Sequence, residues 1–189
     1  MTRDEILEAA VQNFSQKGFH ATSMQDIAQS VNLRKASLYH HVSSKQEILV
    51  ELLDQALDIL IQQMQEVTVL PLPPDKKLRL AIKKYLTTLI DHRGRASVLL
   101  MEHRSLEPEY QSRHIPRRDK FENLWRELIN DGSIQGTFDC RDPALVTRAL
   151  LGMINWTITW YKPGGPLSAD QISDEIADLF LSGLLSRSS

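Results

Sequence analysis

The chain has 189 residues, 42% of them apolar and 24% charged, which is the composition of a folded globular protein and argues against a disordered chain. Its formal net charge of −2 excludes a histone-like polycation, so nucleic-acid binding requires a local basic patch. The single cysteine, Cys140, excludes an intramolecular disulfide or a cysteine-rich metal module and fits a reducing compartment. No apolar run reaches the roughly 18–20 residues that cross a bilayer. The start Met1-Thr2-Arg3-Asp4-Glu5 lacks the apolar stretch of a secretory signal, so a cytoplasmic protein without a membrane partner is expected.

Helix signals run the length of the chain. Leu7, Ala10, Val11 and Phe14 keep the spacing of a half-buried helix, opened by a Thr2/Glu5 capping box and stopped at Lys17-Gly18. Ser23 with Asp26 opens a second helix through Ile27, Ala28 and Val31. The periodicity breaks over Val31-Asn32-Leu33-Arg34, and a short helix over 35–41 follows. Ser44 and Glu47 predict a reciprocal cap for a long helix whose stripe of Leu49, Leu52, Leu53, Ala56, Leu57 and Leu60 continues to about Val67. Pro71, Pro73 and Pro74 break the chain. Helices are then expected over 75–92, ended by Gly94, over 96–104, and from Pro108 to Gly132 with a kink or interruption at Pro116. After a loop over 132–143 come helices over 143–161 and 168–186, separated by Lys162-Pro163-Gly164-Gly165-Pro166. The fold class is all-α, with a small domain over 1–48 and a larger helical one over 49–189.

Residues 23–41 have the layout of a helix-turn-helix, two short helices joined by a tight turn, the second free to enter a major groove. Ile27, Ala28, Val31, Leu33 and Leu38 are the apolar positions that pin the pair. Arg34, Lys35, Ser37, Tyr39 and His40 are left outside. Residues 1–48 carry five basic and five acidic side chains, but 32–48 carry Arg34, Lys35 and Lys45 against Glu47 alone, a local +2. Lys45 stands in the first turn of its helix, where free N–H groups also favour a phosphate. By pattern alone, a helical hairpin with a solvated basic face fits as well.

The segments Ala21-Thr22-Ser23-Met24-Gln25-Asp26-Ile27-Ala28, Leu33-Arg34-Lys35-Ala36-Ser37-Leu38-Tyr39-His40-His41-Val42 and Ser44-Lys45-Gln46-Glu47-Ile48-Leu49, with Ala9-Ala10, Phe14 and Gly18-Phe19 upstream, closely resemble the N-terminal domain of the TetR family of transcriptional regulators. Ala36 stands where a glycine is common and Val42 where a phenylalanine is, which puts the packing beneath the recognition helix in doubt. The resemblance implies that Thr22, Tyr39, His41 and Lys45 meet phosphates or helix ends, and that Arg34, Lys35, Ser37 and His40 read the groove. Arg and Lys suit the guanine edge and Ser is permissive. A half-buried structural role for Tyr39 stands beside its phosphate role.

Two stripes, Leu145, Ala149, Gly152, Met153 and Trp156, then Ile172, Ile176, Leu179, Phe180, Gly183 and Leu184, are either ordinary core or an interface. The resemblance implies a homodimer built from these last two helices. Tyr85, Leu86, Leu89, Val98, Met101, Phe121, Leu124, Trp125, Leu128, Met153 and Trp156 are either plain core or the lining of an apolar effector tunnel. Arg113, His114, Arg117, Arg118 and Lys120 against Asp119 are either a solvated helix start or an anion site. Asn155 is either a buried polar contact or an interface hydrogen bond.

A looser resemblance, carried by Gly132, Gly136-Thr137-Phe138, Leu151-Gly152-Met153-Ile154-Asn155-Trp156, Trp160-Tyr161-Lys162-Pro163-Gly164-Gly165, Leu167-Ser168 and Glu175-Ile176-Ala177, is to TetR-type regulators of fatty-acid, phenylacetate and sterol-side-chain catabolism. It implies an acyl-CoA effector and no other cofactor. The acyl tail would lie among Tyr85, Leu89, Met101, Phe121, Trp125, Met153 and Trp156, and the phosphates near Arg113, Arg117 and Arg118. The expected function is a repressor released from double-stranded palindromic operator DNA by this small molecule, with the helix over 44–67 as the lever. A ligand-binding dimer of multidrug type is the alternative. A small helical enzyme is disfavoured, because the sequence has no phosphate-cradling glycine motif, no His-Glu-x-x-His and no Gly-x-Ser-x-Gly elbow. His103 and His114 lack a convincing carboxylate partner at helical spacing, and Cys140 lies in a loop without a nearby histidine.

Overall fold

A computed structural model of the chain describes residues 2–184, and these are nearly all helical. The elements are α1 (Arg3–Lys17), α2 (Met24–Ser30), α3 (Lys35–Leu38), α4 (Lys45–Thr68), α5 (Pro74–Asp91), α6 (Arg93–Glu102), a 3-10 turn His103–Ser105, α7 (Pro108–Ile134), α8 (Pro143–Trp160) and α9 (Ala169–Leu184). The expected end of the last helix at Ser186, and the last residues of the expected 49–189 domain, lie outside the described residues.

Local chemistry explains most of the starts. Capping boxes close at Thr2/Glu5 and Ser23/Asp26. Ser44 Oγ accepts the Glu47 N–H at 3.0 Å, but the other half of that expected box does not form. The Glu47 carboxylate instead accepts the Ser43 N–H at 2.7 Å and the Ser43 hydroxyl. Asp142 Oδ1 caps α8 through the N–H groups of Ala144 and Leu145, both at 3.0 Å, with Pro143 in the first turn.

Three boundaries differ from the sequence reading. Gly94 does not end a helix. It lies inside α6, where an added Cβ would stand 3.0 Å from Val11 Cγ1, so this glycine serves the close approach of α6 to α1. Pro116 does not interrupt α7, which is helical from Pro108 to Ile134. The exposed ring sits on the solvent side, and the helix gives up one backbone bond there. Gly132 still belongs to α7 although it was expected in the following loop. The Phe138 ring folds back over it, and a Cβ at Gly132 would meet that ring at 2.2 Å.

The chain forms two compact units, the segment up to Asp58 with His92–Arg117, and Ile59–Asp91 with the segment from Arg118. The first therefore groups α6 and the start of α7 with α1–α3, whereas the sequence reading divided the chain at 48/49, inside the continuous helix α4. In the first unit Ile6, Leu7, Ala10, Phe14, Ile27, Ala28, Leu38, Ile48 and Leu49 are buried at 1% exposure or less. In the second, α5 packs on α8 and α9 around Leu78, Ile82, Leu86, Leu150, Ile154, Ile176 and Ala177. The α5–α9 seam is flanked by Lys83–Asp170 at 3.0 Å and by Arg79–Asp178.

Candidate nucleic-acid interface

The turn between α2 and α3 is tight because Asn32 adopts φ +55, a left-handed conformation that asparagine tolerates, and because the Leu33 N–H reaches the Ala28 carbonyl at 2.8 Å. Leu38 at 0% and Val42 at 2% exposure fasten the recognition segment to the core, so valine at position 42 packs fully. The α-helical part of that segment is only Lys35–Leu38. Turns continue it, with His40 N–H on Ser37 O at 3.2 Å and His41 N–H on Leu38 O at 2.9 Å. Arg34, Lys35, Tyr39, His40 and His41 are exposed and Ser37 is half-buried. Among the described residues, neither Arg34 nor Lys35 has a carboxylate partner within 4.0 Å, so both cations face solvent. Of the three basic side chains in residues 32–48, Arg34 and Lys35 stand on the surface.

Of the set expected at phosphates or helix ends, Thr22 and Lys45 are engaged at helix ends. Thr22 is buried at 1% exposure and its hydroxyl donates to Gly18 O at 2.9 Å, so it shapes the α1–α2 turn from within. Lys45 is half-buried. Its ammonium donates to Phe19 O at 2.7 Å and Thr22 O at 2.6 Å, and lies 4.3 Å above the centre of the Phe19 ring. Burial holds this ammonium below the ordinary lysine range, opposed by the nearby charges of Asp26 and Glu102.

Sequence reading passed over the polar scaffold beneath this surface. Arg3 Nε reaches Glu51 Oε2 at 2.9 Å, its Nη2 reaches Glu47 Oε1 at 2.6 Å, and its Nη1 donates to the His41 carbonyl. The start of α1 therefore holds the end of the recognition segment. The Ser43 hydroxyl and then Arg3 draw the Glu47 carboxyl down to about 2. Asn13 joins α1 to α2 through Ser30 Oγ at 3.0 Å. A charged residue at the third position, with carboxylates four residues apart at Glu47 and Glu51, was the available signal.

The expected effector residues divide between the two units. In the first, Met101 is 52% exposed and does not line a core. Arg117 pairs with Asp58 and approaches Asp54 Oδ2 at 3.5 Å, while Arg113 approaches the same oxygen at 3.8 Å. His114, expected at a surface, is 3% exposed, with Nδ1 3.0 Å from the buried Asp54 Oδ1. The basic cluster is thus largely balanced by acidic groups of α4.

In the second unit, Tyr85, Phe121 and Trp125 form a buried aromatic cluster with centroids 5.3 to 6.3 Å apart, and Leu89 is buried. The Tyr85 hydroxyl donates to Asn155 Oδ1 at 2.6 Å, which makes Asn155 a contact within the core, and burial pushes the Tyr85 phenol up. Trp125 is 0% exposed and its indole N–H has no partner among the described residues. A void of only about 10 Å³, the room of a single water, adjoins this cluster, lined also by Leu60, Met64, Val67 and Ala81. Arg118 is exposed and reaches Asp119 at 3.3 Å, and Met153 is half-buried. Trp156 is 65% exposed on α8, outside this cluster. Leu145, Val146, Ala149, Met153, Leu179, Phe180 and Gly183 line an apolar groove on α8 and α9, in which Leu145 and Leu179 are more than 60% exposed.

Family models match both parts of the chain, the bacterial regulatory proteins of the tetR family over residues 6–52 and the tetracyclin repressor-like C-terminal domain over residues 71–184. The HTH-type transcriptional repressor KstR2 of Mycolicibacterium smegmatis is 32% identical over 186 residues, covering 96% of this chain and 90% of that protein. The crystal structure of the TetR family transcriptional regulator PfmR from Thermus thermophilus is 37% identical, with a TM-score of 0.86 over 96% of this chain and 99% of that one. AibR in complex with isovaleryl coenzyme A and operator DNA is 28% identical, with a TM-score of 0.87 over 94% of this chain and 96% of that one.

Proposed function

The chain belongs to the TetR family of bacterial transcriptional regulators, and from that premise we propose that it is a homodimeric repressor released from a palindromic operator by an acyl-CoA thioester. The observation that carries the DNA reading is the recognition segment itself. Arg34, Lys35, Tyr39, His40 and His41 stand exposed on a base fixed by the fully buried Leu38. Such an array offers cations to phosphates and donors to the guanine edge.

One segment of this size gives modest affinity, and a two-fold dimer presenting two of them about 34–36 Å apart, or a multiple of that, gives a specific site. The exposed Leu145, Trp156 and Leu179 of α8 and α9 support the dimer, because monomers rarely leave large apolar groups clustered in water. Gly152 and Gly183 add to this, since a Cβ at either would meet nothing within 4 Å of its own chain, which leaves room for a close helix from a partner.

The effector reading rests on the aromatic cluster and on the ligand that AibR binds. The void of about 10 Å³ beside Trp125 is far smaller than the roughly 300–1,000 Å³ of pockets that hold drug-sized ligands. An acyl chain therefore enters by opening the core, and its binding favours an opened state over the closed one. The expected phosphate cations, Arg113 and Arg117 of the first unit and Arg118 of the second, already have acidic partners that a phosphate would have to displace. The test begins with duplexes selected by the purified chain from a random pool. A palindromic motif with two half-sites is expected, and isovaleryl- or longer acyl-CoA should weaken binding to it. Selection without any motif refutes the DNA reading. A motif whose affinity ignores saturating acyl-CoA refutes the effector alone.

A further inference from the structure

The turn between α1 and α2 decides where α2 begins, and through Ile27, Ala28 and Leu38 it decides where the recognition segment stands. Gly18 opens this turn at φ +81, a conformation that side chains other than glycine avoid. Both backbone polar groups of the next residue, Phe19, are held. Lys45 of α4 donates to the Phe19 carbonyl at 2.7 Å, while the Phe19 N–H donates to Glu102 Oε1, at the last residue of α6, at 3.1 Å. Glu102 is itself fixed. Its Oε2 accepts the Ser105 hydroxyl at 3.0 Å. Gln46, the neighbour of Lys45, donates to Ser105 O at 2.9 Å and accepts the Glu107 N–H at 3.2 Å. These bonds close a ring from Phe19 through Glu102, Ser105, Gln46 and Lys45 back to Phe19. The other end of α6 is seated as firmly on α1, where Gly94 abuts Val11 and Arg95 Nε reaches Glu8 at 3.1 Å.

We propose that Glu102 is a positioning residue for DNA recognition, a carboxylate outside the helix-turn-helix that fixes the Phe19 peptide and makes the stance of α2 and α3 depend on the C-terminal end of α6. The proposal rests on the reading of this chain as a DNA binder. It assigns α6 and the 3-10 turn a specific task, because any shift of His103–Ser105 breaks the Phe19 bond before it disturbs the apolar base under Leu38. The bond is vulnerable because it is part-buried and has one donor and one acceptor, whereas Leu38 is wholly enclosed.

The sign of the effect separates this from simple electrostatics. Removing a carboxylate near a DNA-facing surface strengthens binding to phosphates if charge alone matters. Positioning requires the opposite for Glu102→Ala. Glu102→Gln removes the same charge but keeps an acceptor for the Phe19 N–H. On a duplex selected by the wild-type chain from a random pool, Glu102→Ala should weaken binding about five- to tenfold, the scale of one lost intramolecular hydrogen bond, with the salt slope unchanged. Glu102→Gln should bind within about twofold of wild type. Amide exchange at Phe19, followed by NMR, should accelerate about tenfold or more in the alanine variant and recover in the glutamine variant. Equal or tighter binding by Glu102→Ala overturns the proposal, and so does equal weakening in both variants. If Glu102→Ala does not fold, Ser105→Ala opens the same ring, and unchanged affinity together with an unchanged Phe19 exchange rate overturns it. Should the wild type select no duplex, the DNA reading falls, and Phe19 exchange still decides whether Glu102 holds the turn.

Discussion

The two units are held in different ways. Around the recognition segment, polar side chains fasten backbone groups: Arg3 on the His41 carbonyl, Lys45 on Phe19 and Thr22, Glu102 on the Phe19 N–H, Asn13 on Ser30. Around Tyr85, Phe121 and Trp125 the contacts are ring on ring, and one indole N–H is left without a partner among the described residues. Directional bonds fix angles, and a surface that reads base edges needs fixed angles. Apolar packing is non-directional and tolerates rearrangement, and a core that must admit a ligand needs that tolerance. On the proposed function, the difference suits a rigid task in the first unit and a yielding one in the second.

The largest effect should come from the α8–α9 face. Leu179→Glu places a charge in the apolar groove, and sedimentation should give a monomer whose operator affinity is at least about a hundredfold lower, since two half-sites no longer bind together. A dimeric Leu179→Glu would remove that face from the account. Next is the buried Asp54–His114 pair. Asp54→Ala should cost about 3–5 kcal/mol and lower the melting temperature by roughly 10 °C in thermal circular dichroism, because His114 loses its hydrogen-bond partner and Arg113 and Arg117 lose a nearby carboxylate. Trp125→Ala also creates a large hole, at a cost of about 3–5 kcal/mol. The comparison is sharpened if a bound acyl-CoA rescues only Trp125→Ala, and broken if it rescues both or neither.

A smaller effect belongs to Lys35. Lys35→Ala should reduce affinity about tenfold at one operator position and barely alter binding to random duplex, as read by competition anisotropy. Equal losses on both would make Lys35 a phosphate contact. The smallest effect is with pH. Glu47 has its carboxyl lowered from 4.5 to about 2 in the folded chain, so its contribution is complete above about pH 5 and is lost as the pH falls toward 2. The melting temperature should fall by a few degrees between pH 6 and pH 3, and Glu47→Gln should flatten that part of the curve.

Much of this was legible in residue order. Capping at Thr2/Glu5 and Ser23/Asp26, the proline break, and the exposed Arg34 and Lys35 follow from short-range chemistry that no tertiary contact overrides. What residue order did not show is set by a distant neighbour. Gly94 looked like a terminator because its reason, Val11, lies 83 positions away. His114 and Arg117 looked like surface cations because Asp54 and Asp58 belong to another helix. Lys45 stood at a helix start that suits a phosphate, and only the fold brings Phe19 O and Thr22 O to its ammonium.

By itself, the order of residues determined an all-helical chain, a helix-turn-helix near its start and which side chains of the second short helix remain for solvent, because periodicity and capping act over three or four positions. Tertiary structure alone decided which charges are engaged and which are free, and that the turn before α2 is held from α6. Those outcomes depend on partners dozens of positions apart, whose meeting no local pattern records.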